Sequence, residues 1–240
     1  MKKESMRPLA LVLGMSALFP AAAQQQERPA KVINFSGYDW VVKDSGERKA
    51  GPGPNYFSDD AVTVTPVGLR LRLVERDGHY SCGEVTSQRS FGYGTYRFTL
   101  ASNIDNQDPN LVLGLFTWSD ERAFAHRELD VEISRWGDPN NDNTQFVVQP
   151  YSTPGNMLRF TMTRGLPSSV YSFTWLPGTV EFRAEGPGGA VVKTFAASQG
   201  IPEAGGEKAH INFWLVSGRP PAGGTAEVII SKFDFVPAAK

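Results

Sequence analysis

Residues 123–137 read AFAHRELDVEISRWG, and acidic side chains occupy every second position in the centre of this stretch. The three acids are Glu128, Asp130 and Glu132. Apolar aliphatic residues stand between them, and successive side chains of a β-strand point to opposite faces. The pattern therefore predicts a strand with all its carboxyl groups on one face. Like charges on one face repel each other, so this arrangement lowers stability unless it serves a function.

Three explanations account for such a stripe of acids: a solvated outer face, a cation site, or carboxyl groups that perform acid–base chemistry. A solvated face is the ordinary explanation for a half-exposed strand. The nearby Trp118 and Trp136 favour a sugar-binding surface, because indole rings stack on apolar sugar faces while carboxylates bond to hydroxyl groups. Cleavage of a glycosidic bond needs one protonated and one ionised carboxyl group. Crowding supplies both, because repulsion between neighbouring acids raises the pKa of one and leaves the pKa of the other low.

The rest of the chain consists of short β-type runs separated by turn residues. Within residues 61–76, for example, Leu69 and Leu71 alternate with Arg70 and Arg72. We find no sustained 3.6-residue apolar period, so no long helix is expected after the amino terminus. Further strands are predicted at residues 93–101, 110–118, 145–151, 158–164, 171–176, 179–186, 190–196, 210–217 and 226–236. This organisation predicts an all-β fold, a two-sheet antiparallel β-sandwich.

The amino-terminal residues have the composition of a secretory signal peptide. Three basic residues precede a short apolar run that ends in small residues, so we expect residues 1–23 to be removed during export. We expect residues 24–37 to be disordered or loosely attached and residues 38–240 to form one domain. The exported protein would be extracellular or periplasmic.

Composition narrows the range of partners. The 240-residue chain has a formal net charge of −1 and no basic stripe, so nucleic acid is not an expected partner. The apolar run of the leader is too short for a permanent span, so we expect no membrane contact for the mature protein. Cys82 is the only cysteine, which excludes an internal disulfide. We expect a monomer.

The motif ELDVE at residues 128–132 resembles the signature of family 16 glycoside hydrolases, in which three acids alternate with hydrophobic residues. This family includes lichenases, laminarinases and xyloglucan transglycosylases. The resemblance extends in the family's order over roughly residues 38–236. The other segments that carry it are SCGEVTSQRSFGYGTYRFTL at 81–100, GLFTWSD at 114–120, SFTWLPGTVEFRAEG at 172–186, INFW at 211–214 and KFDFV at 232–236.

The resemblance implies a jelly-roll sandwich with a curved sheet whose concave face binds a polysaccharide. It also implies retaining chemistry, with Glu128 as nucleophile, Glu132 as general acid/base and Asp130 as the acid between them. We expect a secreted endo-β-glycanase acting on a polysaccharide such as a β-1,3/1,4-glucan. Two alternatives stay open: a transglycosylase on similar polysaccharides, and a carbohydrate-binding β-sandwich without catalytic activity.

Further residues are predicted to bind substrate, some as aromatic platforms and others as polar contacts. These candidates are Trp118, His126, Trp136, Gln145, Glu84, Asn55 and Trp214. The sequence also departs from lichenases: Thr86 stands where they usually have an arginine, and His126 and Arg127 stand where they have tryptophan and aspartate. These departures affect the choice of polysaccharide rather than the catalytic acids.

The expected catalysis needs no cofactor. The three histidines are scattered without the spacing of a zinc site. Several members of the family hold a structural calcium ion, and Asp234 in the segment KFDF resembles one ligand position. We therefore predict a structural calcium site at Asp234.

Overall fold

The computed structural model describes residues 29–76, 78–102, 107–162 and 165–239, and these residues form an all-β sandwich. The predicted signal peptide at 1–23 lies outside the described residues. The described strands are β1 (Val32–Phe35), β2 (Tyr38–Val42), β3 (Tyr56–Phe57), β4 (Val62–Thr65), β5 (Gly68–Arg72), β6 (Val74–Arg76), β7 (His79–Ser90), β8 (Gly94–Leu100), β9 (Leu111–Trp118), β10 (Leu129–Ile133), β11 (Thr144–Val148), β12 (Met157–Phe160), β13 (Ser169–Leu176), β14 (Thr179–Glu185), β15 (Val191–Ala197), β16 (Lys208–Leu215) and β17 (Glu227–Pro237).

The strands form two sheets. The larger sheet has the order β1-β2-β7-β16-β9-β10-β11-β12, with the short strands β3 and β6 also paired to β7. The second sheet has the order β15-β14-β13-β8-β17-β5-β4. Neighbouring strands are antiparallel, apart from the short parallel pair of β3 and β7. The predicted two-sheet sandwich is confirmed.

Helical structure in the described ranges is limited to short turns at Asp59–Ala61, Ala123–Arg127 and Pro187–Gly189, and the second of these contains residues with positive φ angles. No helix in this part of the chain is long and apolar enough to cross a membrane.

The hydrophobic core lies between the two sheets. In β10, Leu129, Val131 and Ile133 are buried on the core face, as the alternating sequence predicts. Phe98 and Phe173 of the second sheet are also fully buried in this core. Burial of these side chains fixes the register of β10, because a slip by one residue would turn the aliphatic side chains to the outer face and the acids into the core.

One sequence-based boundary is wrong. We expected residues 24–37 to be disordered or loosely attached, but Val32–Phe35 forms β1 and pairs with β2 at the edge of the larger sheet. The physical reason is local: Phe35 is buried in the core, and its carbonyl accepts a hydrogen bond from the Trp40 indole at 3.1 Å. The domain therefore begins at or before residue 32.

Candidate active site

A row of residues crosses the larger sheet at its centre. Glu132 of β10 lies opposite Gly114 of β9. Gly114 lies opposite Asn212 of β16, and Asn212 lies opposite Glu84 of β7. A Cβ atom at position 114 would collide with Oδ1 of Asn212, so only glycine leaves this floor open. A second row on the same face runs from Asp130 through the register partners on β9, β16 and β7, which are Phe116, His210 and Thr86.

A cavity of about 400 Å³ lies over these rows. All three predicted catalytic acids line it. Its other walls combine aromatic and polar side chains, namely Phe116, Trp118, Trp214, Lys43, Glu84, Asp120, His210 and Asn212. A second cavity of about 340 Å³ continues from Trp118 and His210 towards Thr86 and Lys208. An elongated cleft with aromatic platforms and a few polar groups is the kind of site that binds a carbohydrate chain.

Glu128 and Asp130 form a hydrogen-bonded pair at one side of the cleft. Asp130 is 3% exposed, and its Oδ2 accepts a hydrogen bond from Nε2 of Gln149 at 3.0 Å. Burial and the negative charges of Glu128 and Glu132 raise the pKa of Asp130 well above its usual range. A proton held by Asp130 would be donated in its hydrogen bond to Glu128. That bond favours the ionised form of Glu128, although burial and the charge of Glu132 raise its pKa to about 7.

Glu132 has a different set of partners. Its Oε2 accepts a hydrogen bond of 2.6 Å from Nε2 of Gln145, the residue opposite it in β11. Burial raises the pKa of Glu132 to about 7, and the Gln145 bond and the charge of Arg159 oppose this rise. With pKa values near neutrality, one carboxyl can be ionised while the other is protonated, which is the condition for acid–base chemistry on a glycosidic bond.

The far end of the central row carries a buried ionic cluster. Lys43 Nζ lies 2.9 Å from Oε2 of Glu84, and His210 Nδ1 lies 3.4 Å from its Oε1. Burial alone would raise the pKa of Glu84. The hydrogen bond to His210 and the charge of Lys43 outweigh burial and hold this pKa below its usual range. Glu84 is thus a fixed anion and hydrogen-bond acceptor on the cleft wall, as a sugar contact requires.

A left-handed turn leads directly into Glu128. Four consecutive non-glycine residues, Phe124 to Arg127, have positive φ angles between 49° and 63°. Each such residue costs about 1–2 kcal/mol, so the turn must be held by its surroundings. Arg127 donates to the Glu203 carbonyl at 2.9 Å and pairs with Glu121 at 2.8 Å. Thr117 Oγ1 donates to the Arg127 carbonyl at 2.8 Å, which ties the turn to β9.

Several predicted substrate contacts lie at the cleft and others lie beside it. Trp118, Trp214 and Glu84 line the cavity. His126 packs behind Trp118 and lines neither cavity. Trp136 also lies outside the cavity wall, where it packs edge-on against Trp214 with ring centroids 5.9 Å apart.

Asn55 is not brought to the cleft surface. Its side chain is 2% exposed, and its amide donates to the carbonyls of Leu215 and Pro52 at 2.8 and 2.9 Å. The amide therefore holds the loop whose residues Gly51 and Pro52 line the cavity. Gln145 is also buried and is engaged by Glu132 and Arg159, so its main contacts are protein groups rather than open cleft.

The predicted calcium position is occupied by an ion pair. Asp234 lies on β17, in the second sheet, and its Oδ1 is 2.7 Å from Lys232 Nζ. Within the described residues, no group of three or more His, Cys, Asp or Glu side chains is arranged to hold a metal ion. Calcium binding at Asp234 stays a prediction. Cys82 is a buried free thiol whose pKa burial raises to about 12, which fits a packing role rather than a nucleophile.

Sequence reasoning missed several residues of the site. Lys43, Phe116, His210, Asn212 and Arg159 were not predicted to belong to it. Phe116 lies two positions before Trp118, and Asn212 lies two positions before Trp214. Residues two apart in a strand point to the same face, so alternation could have predicted both. Lys43 and Arg159 reach the site from other strands, and only the pairing of those strands brings them close.

Solved structures of β-glucanases share this fold. A Bacillus licheniformis β-glucanase matches with a TM-score of 0.64 and 17% identity, over 88% of this chain and 100% of that chain. A glycoside hydrolase family 16 endo-glucanase from Bacteroides ovatus, in complex with G4G3G-2F-DNP, matches with a TM-score of 0.59 and 13% identity, over 82% of this chain and 94% of that chain. The Crh5 transglycosylase in complex with NAG matches with a TM-score of 0.54 and 14% identity, over 85% and 86% of the two chains.

No protein-family model and no curated protein matches the chain. The structural matches show that the chain has the fold of family 16 glycoside hydrolases, and the predicted jelly roll is confirmed.

Proposed function

We propose that this protein is a retaining endo-β-glycanase that hydrolyses a β-glucan or a related polysaccharide. The observation that carries the proposal is the arrangement of Glu128, Asp130 and Glu132 along one side of an open aromatic cleft, in which Glu128 is hydrogen-bonded to Asp130 and Glu132 to Gln145. The shared fold with β-glucanases supports the same reaction class. We also propose that the protein is exported, acts as a monomer and needs no cofactor for catalysis.

In the first step, the Glu128 carboxylate attacks the anomeric carbon of the sugar bound beside it. Glu132 gives its proton to the glycosidic oxygen as the carbon–oxygen bond breaks, which leaves a glycosyl ester on Glu128. In the second step, Glu132 takes a proton from water, and that water attacks the anomeric carbon. The ester bond breaks, Glu128 returns as a carboxylate, and the product keeps the original anomeric configuration.

Asp130 supports the nucleophile throughout this cycle. Its proton faces Glu128, so Glu128 can be ionised next to two other acids without three adjacent negative charges. When the ester forms, Glu128 loses its charge and the hydrogen bond from Asp130 weakens. The Gln149 amide, 3.0 Å from Asp130, keeps the carboxyl group oriented through both steps.

The polysaccharide would lie across the sheet over the central row. Phe116, Trp118 and Trp214 offer ring surfaces for apolar sugar faces, and Glu84 and Asn212 offer polar atoms to hydroxyl groups. Oδ1 of Asn212 is buried without a hydrogen-bond partner among the described residues. A small movement of the Asn212 side chain would bring this atom to the cleft, where a sugar hydroxyl would satisfy it.

A transglycosylase is the second candidate, because the matched structures include the Crh5 transglycosylase. In that reaction a sugar hydroxyl rather than water resolves the glycosyl ester. The same carboxyl groups perform both reactions, so the products distinguish them: hydrolysis yields only shorter chains, whereas transfer also yields chains longer than the substrate.

The test is incubation of the protein with purified β-1,3-glucan, mixed-linkage β-glucan, xyloglucan and galactan, with reducing ends and product lengths measured. We expect cleavage of at least one polymer by the wild type, and losses of at least about 1,000-fold in Glu128→Gln and Glu132→Gln. Glu181→Gln, an exposed glutamate of the second sheet, is the matched control and should keep full activity. Binding without cleavage by the wild type, or full activity in either cleft variant, would refute the proposal.

A further inference from the structure

Three side chains form a hydrogen-bonded chain across the strands behind the proposed acid/base. Glu132, Gln145 and Arg159 are direct register partners on β10, β11 and β12. Arg159 donates from Nε and Nη2 to Oε1 of Gln145, at 3.0 and 2.6 Å. Gln145 then donates from Nε2 to Oε2 of Glu132 at 2.6 Å. Gln145 is 5% exposed, so the central amide of the chain is shielded from water, whereas Glu132 and Arg159 are half-buried.

The chemistry of the donors fixes the direction of this chain. A guanidinium group has only N–H donors, so Arg159 must face the amide oxygen of Gln145. Both lone pairs of that oxygen are then used by Nε and Nη2. The amide nitrogen has no alternative but to face Glu132, and it can only donate. One N–H of Gln145 is left over for another acceptor.

The orientation of the amide distinguishes the two oxygens of Glu132. In a protonated carboxyl group, the carbonyl oxygen is the better acceptor and the hydroxyl oxygen carries the proton. An N–H donated to Oε2 therefore favours Oε2 as the carbonyl and Oε1 as the hydroxyl. When the proton leaves Oε1, the negative charge spreads onto Oε2, and the bond from Gln145 becomes stronger.

We propose, on the basis of the function proposed above, that Gln145 and Arg159 are positioning residues that keep the transferable proton of Glu132 on Oε1. In the first step the Oε1–H bond breaks, its proton goes to the glycosidic oxygen, and the electron pair stays on the carboxylate. In the second step Oε1 takes a proton from water. Oε2 remains a hydrogen-bond acceptor in both steps, so the acid does not have to rotate between them.

Glu132 is surrounded by acidic groups, and the positive charge of Arg159 opposes the rise of its pKa. Asp130 and Glu128 face Glu132 from its own side of the cleft, and both are acidic. The cavity also contains the ionic cluster of Lys43, Glu84 and His210, and the exposed Asp120. Burial raises the pKa of Glu132, and the hydrogen bond from Gln145 and the positive charge of Arg159 on β12 both lower it.

The first experiment is independent of any polysaccharide. Glutamate labelled with ¹³C at the side-chain carboxyl would be incorporated into the full chain, and the Glu132 signal assigned by its loss in Glu132→Gln. We expect the titration midpoint of Glu132 to rise by about 0.5–1 pH unit in Gln145→Met and in Arg159→Met, because each loses an interaction that favours the carboxylate. Arg159→Lys, which retains the charge, should lie closer to the wild type. Arg70→Met, in the second sheet, is the control and should leave the midpoint unchanged.

The second experiment tests the role in proton transfer. Departure of 2,4-dinitrophenolate needs no protonation, so a dinitrophenyl β-glycoside bypasses the acid. We expect Gln145→Met to lose at least about tenfold more kcat/KM on the polymer than on the dinitrophenyl substrate. An equal loss on both substrates would overturn the proposal in favour of a sugar-binding role. An unchanged or lowered Glu132 midpoint would also overturn it, even if the protein cut no polymer, whereas a raised midpoint with no polymer cleavage would refute only the proposed function.

Discussion

The imidazole ring of His126 stacks on the indole of Trp118, with ring centroids 4.0 Å apart and ring planes inclined by only 9°. His126 Nδ1 lies 2.9 Å from the carbonyl oxygen of Ser119, which fixes the imidazole in place. Trp118 lines both cavities, whereas His126 lines neither. The two residues therefore form one platform in which His126 supports Trp118 from behind.

Replacement of Trp118 by alanine should weaken substrate binding. Loss of the indole removes stacking area from the cleft, so we expect KM for the polymer to rise about tenfold or more and kcat to change less. His126→Ala should raise KM by a smaller factor, because it only loosens the platform. Tyr151→Ala, at a side chain that is 64% exposed and lines neither cavity, is the control. A larger effect of His126→Ala than of Trp118→Ala would contradict this arrangement.

Gly205 leaves the space in which the Arg127 side chain lies, and Arg127 in turn holds the left-handed turn. A Cβ atom at position 205 would lie 2.6 Å from Nε and 2.7 Å from Nη2 of Arg127, whose side chain is buried. We therefore expect Gly205→Ala to displace Arg127, destabilise the protein by about 1–3 kcal/mol, and lower kcat through movement of Glu128. Gly223→Ala is the matched control, because a Cβ at that glycine meets nothing within 4 Å. Thermal unfolding and kcat measure the two effects, and equal behaviour of the two variants would contradict the role of Arg127.

The activity should have a narrow pH optimum near neutrality. Burial raises the pKa of both Glu128 and Glu132 to about 7, and the charge of Glu132 adds to the rise at Glu128. Activity falls below this range because the nucleophile is protonated, and it falls above this range because the acid is ionised. The measurement is kcat/KM across pH 4–10 on the best polymer found. A flat plateau over several pH units around neutrality would be inconsistent with two carboxyl groups of similar pKa.

The crowded acids should cost stability at high pH. The folded-state pKa of Glu128, about 7, lies above its unfolded value. The free energy of unfolding therefore falls as pH rises between these two values, and the loss is complete once pH exceeds about 7. Glu128→Gln removes this cost, and we expect it to raise stability at pH 8 by about 1–2 kcal/mol, or a few degrees in Tm. At pH 4 the glutamate is mostly protonated in both states, so the gain should nearly disappear. Glu181→Gln should show no such pH-dependent gain, and an equal gain at both pH values would contradict the electrostatic explanation.

Local alternation in the sequence predicted much of the fold and the central acids. The period of two in residues 128–133 correctly separated the acids from the buried Leu129, Val131 and Ile133. This prediction works because one face of a strand must be apolar to join the core, and a single residue's shift would reverse it. Phe173 and Trp175, two positions apart in the predicted strand at residues 171–176, likewise share a face and are both fully buried.

The rest of the site depends on strand pairing, which local patterns do not encode. Glu84 and Asn212 are 128 positions apart in the chain, and they meet only because β7 pairs with β16. Asn55 follows several turn-forming residues and resembled a loop contact, yet its side chain is buried and its amide donates to the backbone carbonyls of Pro52 and Leu215. The left-handed turn before Glu128 contains no glycine, so no residue in it signals positive φ angles.

The central claim is that Glu128 becomes covalently bonded to the sugar. A 2-deoxy-2-fluoro β-glycoside with a dinitrophenyl leaving group should form the glycosyl ester quickly and lose it slowly, because fluorine at C2 destabilises both transition states. Peptide mapping by mass spectrometry after incubation should find one added glycosyl group per chain, attached to Glu128. Glu128→Gln should remain unlabelled, and Glu181→Gln should be labelled as the wild type is. Attachment to Glu132 or to any other residue, or hydrolysis of the polymer with no label on Glu128, would contradict the account.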